Sequence, residues 1–347
     1  MRAISIWLGI VLLSGVVAVP AEAGFLYGGR DLEDGRDFSL RGSVGQISDF
    51  NAMVQETTRS LYDVTGSYWK QDDAENYNLN DFNIADEHNT VGLSLEKAWR
   101  FFTFQFDTSI VKMESSTVAR RNYYIGVGES IEYQGNSYDR MQIPKHTPFD
   151  FEITGGTIDT KLFMTPFTLR FGPGFRITPM AGIGIFGFAG EYDIDAGPVQ
   201  GVKIYQDPPK EFAIGGQASG IVGLGMPEYG AGLEIRMGTP DTANLVIQGH
   251  YMLLEYDGST SFLTSSAHRE KNAKIDHVNI RGRVYLEIPI KNSRSIMIGV
   301  QYQQVESEAF ISSTATDPEE ILEKQERFDK EVEFGVTAMH ALIGYTW

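Results

Sequence analysis

Ala338-Met339-His340-Ala341-Leu342-Ile343-Gly344-Tyr345-Thr346-Trp347, the last ten residues, decide the fold class. Met339, Ala341, Ile343, Tyr345 and Trp347 share one parity. Successive side chains of a strand point to opposite faces, so this parity makes one apolar face that ends in an amphipathic ring. Just upstream, Val332, Phe334 and Val336 hold the other parity, and a bulge near His340 is expected to reconcile the two.

The same alternation recurs along the chain. Phe38, Leu40, Gly42 and Val44 oppose Ser39, Arg41 and Ser43, and Val91, Leu93 and Leu95 oppose Ser94 and Glu96. Phe102, Phe104, Phe106 and Ile110 oppose Thr103, Gln105, Asp107 and Ser109. Val278, Ile280, Val284, Leu286 and Ile288 oppose His277, Asn279, Arg281, Arg283 and Glu287. Ile296, Ile298, Val300 and Tyr302 oppose Gln301 and Gln303. Less regular strands are read at Ile177–Gly190, Tyr229–Met237, Leu245–Tyr256 and Val332–Trp347. One more runs from Thr157 to Phe171, where Pro166 implies a bulge because it cannot donate to a ladder.

These ten strands are joined by links of alternating length. Short links fall at Lys97–Phe101, Gly172–Arg176, Gly238–Asn244 and Pro289–Ser295. Long ones fall at Ser48–Asn89, Met113–Gly156, Glu191–Glu228, Asp257–Asp276 and Glu306–Glu331. A soluble sandwich has no reason to sort its loops in this way. Thr117–Gln134 and Phe212–Leu224 are candidates for an extra hairpin, and Asp317-Pro318-Glu319-Glu320 for a helix start near 318–328.

Arg2, the apolar run Ile4–Val19 and Ala21-Glu22-Ala23 read as a secretion signal over residues 1–23, leaving 24–347 as the mature chain. The chain of 347 residues has no cysteine, so disulfides cannot staple it, and its formal charge of −17 argues against nucleic acid.

The closing strand, the alternating runs of about ten residues and the sorted links together resemble bacterial outer-membrane β-barrel proteins. The resemblance covers the whole mature chain. It implies an all-β, antiparallel up-and-down transmembrane barrel of about ten strands (8–12), with short periplasmic turns and long outer loops, in the cell outer membrane. It also implies that Ile343, Tyr345 and Trp347 form a terminal signal for the barrel-assembly machinery, and that outer-membrane lipids including lipopolysaccharide surround the barrel. Phe38, Trp99, Phe101, Phe171, Phe175, Tyr345 and Trp347 gather at one end, as an interfacial girdle does.

The inward faces then carry Arg41, Glu96, Asp107, Glu234, Arg236, Gln248, His250, Arg281, Arg283, Glu287, Gln301 and Gln303. Counting across hairpins sets Glu234 opposite Gln248 and His250 close to Arg283. Buried charges demand partners, so a structural network is favoured over an anion-preferring path. An eight-stranded barrel is filled by its side chains and open channels need many more strands, so ten argue against a general porin.

The expected function is a non-enzymatic barrel with a narrow or closed polar lumen, acting at the envelope through its outer loops. No catalytic residue, metal or cofactor is assigned. The alternatives are a narrow substrate-selective channel and a rim-located hydrolase. Omptin-type barrel proteases use paired aspartates and an Asp–His couple. Asp72-Asp73 and Asp276-His277 are the matching residue types here, but Asp276 and His277 are adjacent and point to opposite faces. Ser265, Ser266 and His268 sit in a loop. The acidic runs Asp31-Glu33-Asp34-Asp37 and Asp72-Asp73-Glu75 lack EF-hand spacing and read as solvated. The glycine-rich stretches at 182–190 and 215–232 read as close strand packing. Phe104→Arg is expected to meet the midplane penalty of ~2–4 kcal/mol, and Gln105→Arg to be milder.

Overall fold

Hydrogen-bonded ladders carry this alternation round a complete ring. In the computed structural model, the described residues are 26–30, 37–50, 87–118, 123–125, 131–133, 136–138, 140–143, 145–203 without 173, 210–259 without 240, 269–290, 294–315 and 327–347. The chain opens with β1 (Leu26–Gly28), β2 (Phe38–Ser48), β3 (Glu87–Ala98) and β4 (Phe102–Val118). Four short strands follow: β5 (Tyr123–Ile125), β6 (Ile131–Tyr133), β7 (Asn136–Tyr138) and β8 (Arg140–Ile143). Next come β9 (Pro148–Met164), β10 (Phe167–Arg170), β11 (Phe175–Lys203) and β12 (Lys210–Met237). The last four are β13 (Asn244–Ser259), β14 (Arg269–Pro289), β15 (Ser295–Ala315) and β16 (Arg327–Thr346).

Ten of these strands are the staves of a closed antiparallel barrel, β2-β3-β4-β9-β11-β12-β13-β14-β15-β16, with β16 pairing back to β2. The interior inverts a soluble core. Arg41, Lys161, Arg281 and Arg283 are among the largest fully buried side chains, while Val44, Ile183, Ile298, Val300, Met339 and Ile343 are more than half exposed. Only a bilayer accepts such an exterior, and a closed barrel satisfies every backbone group within it. The chain is an outer-membrane β-barrel protein.

The strand at Pro166 is broken by a bulge. Met164 pairs with Ala181 and Leu169 with Ile177, so five steps on one side meet four on the other. The inward parity changes accordingly, from Phe163 and Thr165 to Thr168. No bulge occurs near His340, because the β15–β16 register runs unbroken from Ser295↔Thr346 to Thr314↔Arg327. Val336 and Ala338 point inward and are buried in an apolar upper lumen with Val305, while Met339 points outward. The change in apolar parity therefore reflects a change of surroundings rather than of register.

Several long links prove to be strand. Residues 191–203 and 210–228 extend β11 and β12 into a hairpin of 29- and 28-residue strands, which leaves a link at 204–209. A membrane crossing needs only ~9–11 residues, so this hairpin rises well beyond the bilayer. Phe212–Leu224 is thus part of a stave. Within the second loop, β6 pairs with β7, and β5 pairs with β8, which docks on β11. Of the helix expected near 318–328, residues 318–326 lie outside the described residues and Arg327 and Phe328 are already strand; Asp72-Asp73-Glu75, residues 31–36 and residues 265–268 also lie outside them.

Trp99, Phe101, Phe171 and Trp347 are exposed at the short-turn end, where Phe38 meets Trp347 at 4.7 Å and Phe171 meets Phe175 at 5.7 Å between ring centroids.

Candidate functional site

Every second residue of each stave points into the lumen, and the ladders fix which of these meet. The structure turns all twelve sequence-predicted lumen residues inward. Arg236 is the least covered of them, with 15% of its side chain exposed. Glu234 is the ladder partner of Gln248, whose amide donates to it at 2.7 Å. His250 faces Arg281 and not Arg283, which pairs with Gln248. The residues joining β13 to β14 are a long loop that does not fix register, whereas the turn between β12 and β13 does.

Three layers fill the lumen. At the short-turn end, Arg41 pairs with Glu96 at 3.1 Å and stacks over Tyr285 at 5.2 Å. Arg236 bridges Glu234 at 3.0 Å and Glu287 at 2.8 Å. In the middle, Arg281 joins Asp107 to Asp159, and Arg283 holds Asp107 and donates to Gln301 at 2.6 Å. Gln303 donates to Asp159 at 3.0 Å. Charge-assisted pairs of this kind repay the desolvation of each ion only when both partners are present.

Inward glycines make room for these large groups. A Cβ on Gly232 would lie 2.5 Å from the His250 ring, and one on Gly344 would lie 2.7 Å from the Arg41 stem. His250 lies against Phe163 with its ring stacked at 4.7 Å. Two spaces beside these groups are small. One, beside Asp107, Arg281 and His340, is about 20 Å³, and one beside Arg41, Glu96 and Glu287 is about 10 Å³. Each has room for about one water.

A third cluster lies at the outer edge of this column. His277 on β14 and Ser307 on β15 are direct ladder partners, with Nδ1 and Oγ 2.6 Å apart. Glu228 of β12 approaches the opposite ring nitrogen, with Oε2 3.4 Å from Nε2. Glu228 is in turn held by Lys161 at 3.1 Å and by the Asn279 amide at 3.0 Å. Phe186 stacks on the imidazole at 5.9 Å. Glu228, His277 and Ser307 are all buried, Ser307 the least so with 6% of its surface exposed. Phe186, Phe188, Met113, Ile153 and Val305 form a buried apolar collar in the upper lumen.

On the outside of the same staves the exposed apolar row stops, and Glu306 and Glu308 follow it. Ser307 is therefore level with the outer membrane interface. Chemically, the set is a hydroxyl, a base in contact with it and a carboxylate on the base's far side.

Sequence reading missed Glu228, Ser307, Asp159, Lys161 and Asn279 as partners. Asp159 and Lys161 oppose Ile158 and Leu162, so parity alone carried that signal. Ser307 was equally within reach, since counting back from the turn at 290–294 sets 277 against 307. Glu228 was hidden because 191–228 read as loop. Asp276 points away from the lumen, 3.8 Å from Lys274, and so does not act with His277.

No family model and no curated relative matches this sequence. Among solved structures, the outer membrane protease OmpT from Escherichia coli is similar over 95% of this chain and 99% of its own, at 9% identity and a TM-score of 0.37. LpxR from Salmonella typhimurium is similar over 89% of this chain and 100% of its own, at 10% identity and a TM-score of 0.16. These likenesses transfer no residue and no activity. The expectation of a non-enzymatic protein without a catalytic residue is corrected at this cluster, where Ser307, His277 and Glu228 meet as hydroxyl, base and carboxylate.

Proposed function

We propose that the chain is an outer-membrane serine hydrolase working at the outer rim, with Ser307 as nucleophile, His277 as base and Glu228 as the orienting carboxylate. The observation that carries this reading is the contact of Ser307 Oγ with His277 Nδ1 at 2.6 Å, backed by Glu228 on the other ring nitrogen. In this mechanism Oγ attacks a substrate carbonyl while its proton passes to Nδ1. Glu228, kept in place by Lys161 and Asn279, stabilises the imidazolium. The proton then goes to the leaving group, and water releases the acyl group from Ser307 by the reverse path.

The filled lumen favours this reading over a substrate-selective channel. The same reading takes residues 1–23 as a removed signal. It takes outer-membrane lipids, lipopolysaccharide among them, and the barrel-assembly machinery as the partners of the mature chain. Residues Ile343, Tyr345 and Trp347 serve as the assembly signal.

The test is covalent labelling of the refolded protein by a fluorophosphonate, together with cleavage of activated esters. One adduct on Ser307 is expected. It should be absent in Ser307→Ala, and the rate should drop by about 10²–10⁴ in His277→Ala, the usual span for losing a general base. A folded protein that gives no adduct and no turnover overturns the assignment.

A further inference from the structure

The short-turn mouth of the lumen is closed by a segment that is not part of the ring. After the bulge at Pro166, β10 continues down β11, but β4 begins only at Phe102 opposite Met164, so β10 has an edge with no stave beside it. β1 occupies that edge, with Leu26, Tyr27 and Gly28 paired to Leu169, Thr168 and Phe167.

The chain then turns inward at Gly29, whose φ is +85° and whose missing Cβ would lie 2.3 Å from the Arg100 carbonyl oxygen. Only glycine fits both the dihedral and the space. The Gly29 amide donates to Pro166 at 2.8 Å, and Thr168 Oγ1 donates to the Gly29 carbonyl at 3.1 Å.

This turn delivers Arg30 into the lumen, where it is 7% exposed. One guanidinium nitrogen donates to Thr103 at 3.0 Å. The other lies 3.2 Å from Glu96 and 2.8 Å from Glu234. Glu96 is on β3 and Glu234 on β12, nearly across the ring from each other. Without Arg30 the two carboxylates would share the mouth, Glu96 with Arg41 and the more distant Arg283, and Glu234 with Arg236 alone.

We propose that this mouth is a binding site for an extended, arginine-bearing segment, and that residues 26–30 occupy it as a latch over the polar column. The recognition elements are the β10 edge that no stave covers, which takes a peptide by backbone pairing, and two carboxylates that one planar guanidinium bridges. The latch is independent of the chemistry assigned to Ser307, which lies at the other end of the lumen.

The chain contains no cysteine, so one introduced thiol reports access cleanly. Ser94→Cys places it on β3, one inward position above Glu96. A charged methanethiosulfonate reagent should modify it slowly in otherwise wild-type protein in micelles. In Arg30→Ala the rate should rise at least about tenfold, the opening expected from losing a charge-assisted hydrogen bond. Gly29→Ala should give the same rise, although it leaves every lumen charge in place. A synthetic peptide of residues 24–30 should slow the Gly29→Ala protein again, and the same peptide with alanine at position 30 should not. Equal rates in all three folded proteins overturn the latch. So does a rise in Arg30→Ala alone, which would make Arg30 a member of the charge network only.

Discussion

Val300→Arg probes the depth of the barrel in its bilayer. A strand rises ~3.4 Å per residue, and a tilt of about 40° reduces that to roughly 2.6 Å along the barrel axis. An apolar band about 25 Å tall therefore takes about ten residues of each stave. On β15 the outward row begins at Ile296, runs through Ile298, Val300 and Tyr302, and turns polar at Gln304 and Glu306. Val300 lies five positions beyond Ser295, about 13 Å into the band, whereas Ile296 lies about 3 Å in. Arginine should therefore cost about 2–4 kcal/mol at Val300 and only about 0–1 kcal/mol at Ile296.

The measurement is equilibrium unfolding in urea with the barrel in lipid vesicles, followed by tryptophan fluorescence. A difference near 2 kcal/mol is roughly thirtyfold in the folded-to-unfolded ratio, well within the method. Equal losses at the two sites, or a mild effect at Val300, would refute the placement of the band. The same arithmetic corrects the expectation for Phe104. It lies two positions into β4, about 5 Å from the interface, so arginine there should fall short of the midplane penalty. Nor is Gln105→Arg a mild control. Gln105 has no exposed surface and donates to Glu96 at 3.4 Å, so a larger cation would crowd a filled lumen.

Two further outcomes test the interior. Arg281→Ala should destabilise the barrel by about 3–5 kcal/mol in the same unfolding assay, since it leaves Asp107 and Asp159 facing each other without their shared partner. Gly232→Ala should lose about 1–3 kcal/mol, because its Cβ would press on the His250 ring at 2.5 Å and on the Gly249 carbonyl at 2.9 Å. Gly282→Ala, with nothing within 4 Å of its Cβ, should stay within about 0.5 kcal/mol of wild type. Similar losses at the two glycines would mean that the lumen is not packed as described.

The staves were legible wherever two solvents met across one strand. Phe102–Ile110 and Val278–Ile288 alternate cleanly because lipid lies on one side and an ionic lumen on the other. The bulge at Pro166 was legible because a missing N–H has only a few places to go. The N-terminal latch was not. A three-residue strand leaves no periodicity to detect, and Arg30 stands beside an acidic run, where a solvated surface is the natural reading.

The outer ends of the staves were hidden for a different reason, which also locates the proposed site. Above the bilayer the outside of the barrel faces water, so the apolar residues change sides. Met113, Ile153, Val305 and Val336 are buried within, while Glu114, Glu306 and Glu308 face out. On β16 this reversal falls between Val336 and Met339 without any slip of register. Each long stave thus carries two amphipathic codes of opposite sense, a charged core inside the membrane and an ordinary apolar core above it. A reading that follows one code must break where the other begins, and it reports the break as a bulge or a loop. Glu228, His277 and Ser307 stand at that changeover. There a polar group can be buried against apolar neighbours and still lie within reach of the outer surface, a combination that neither core supplies alone.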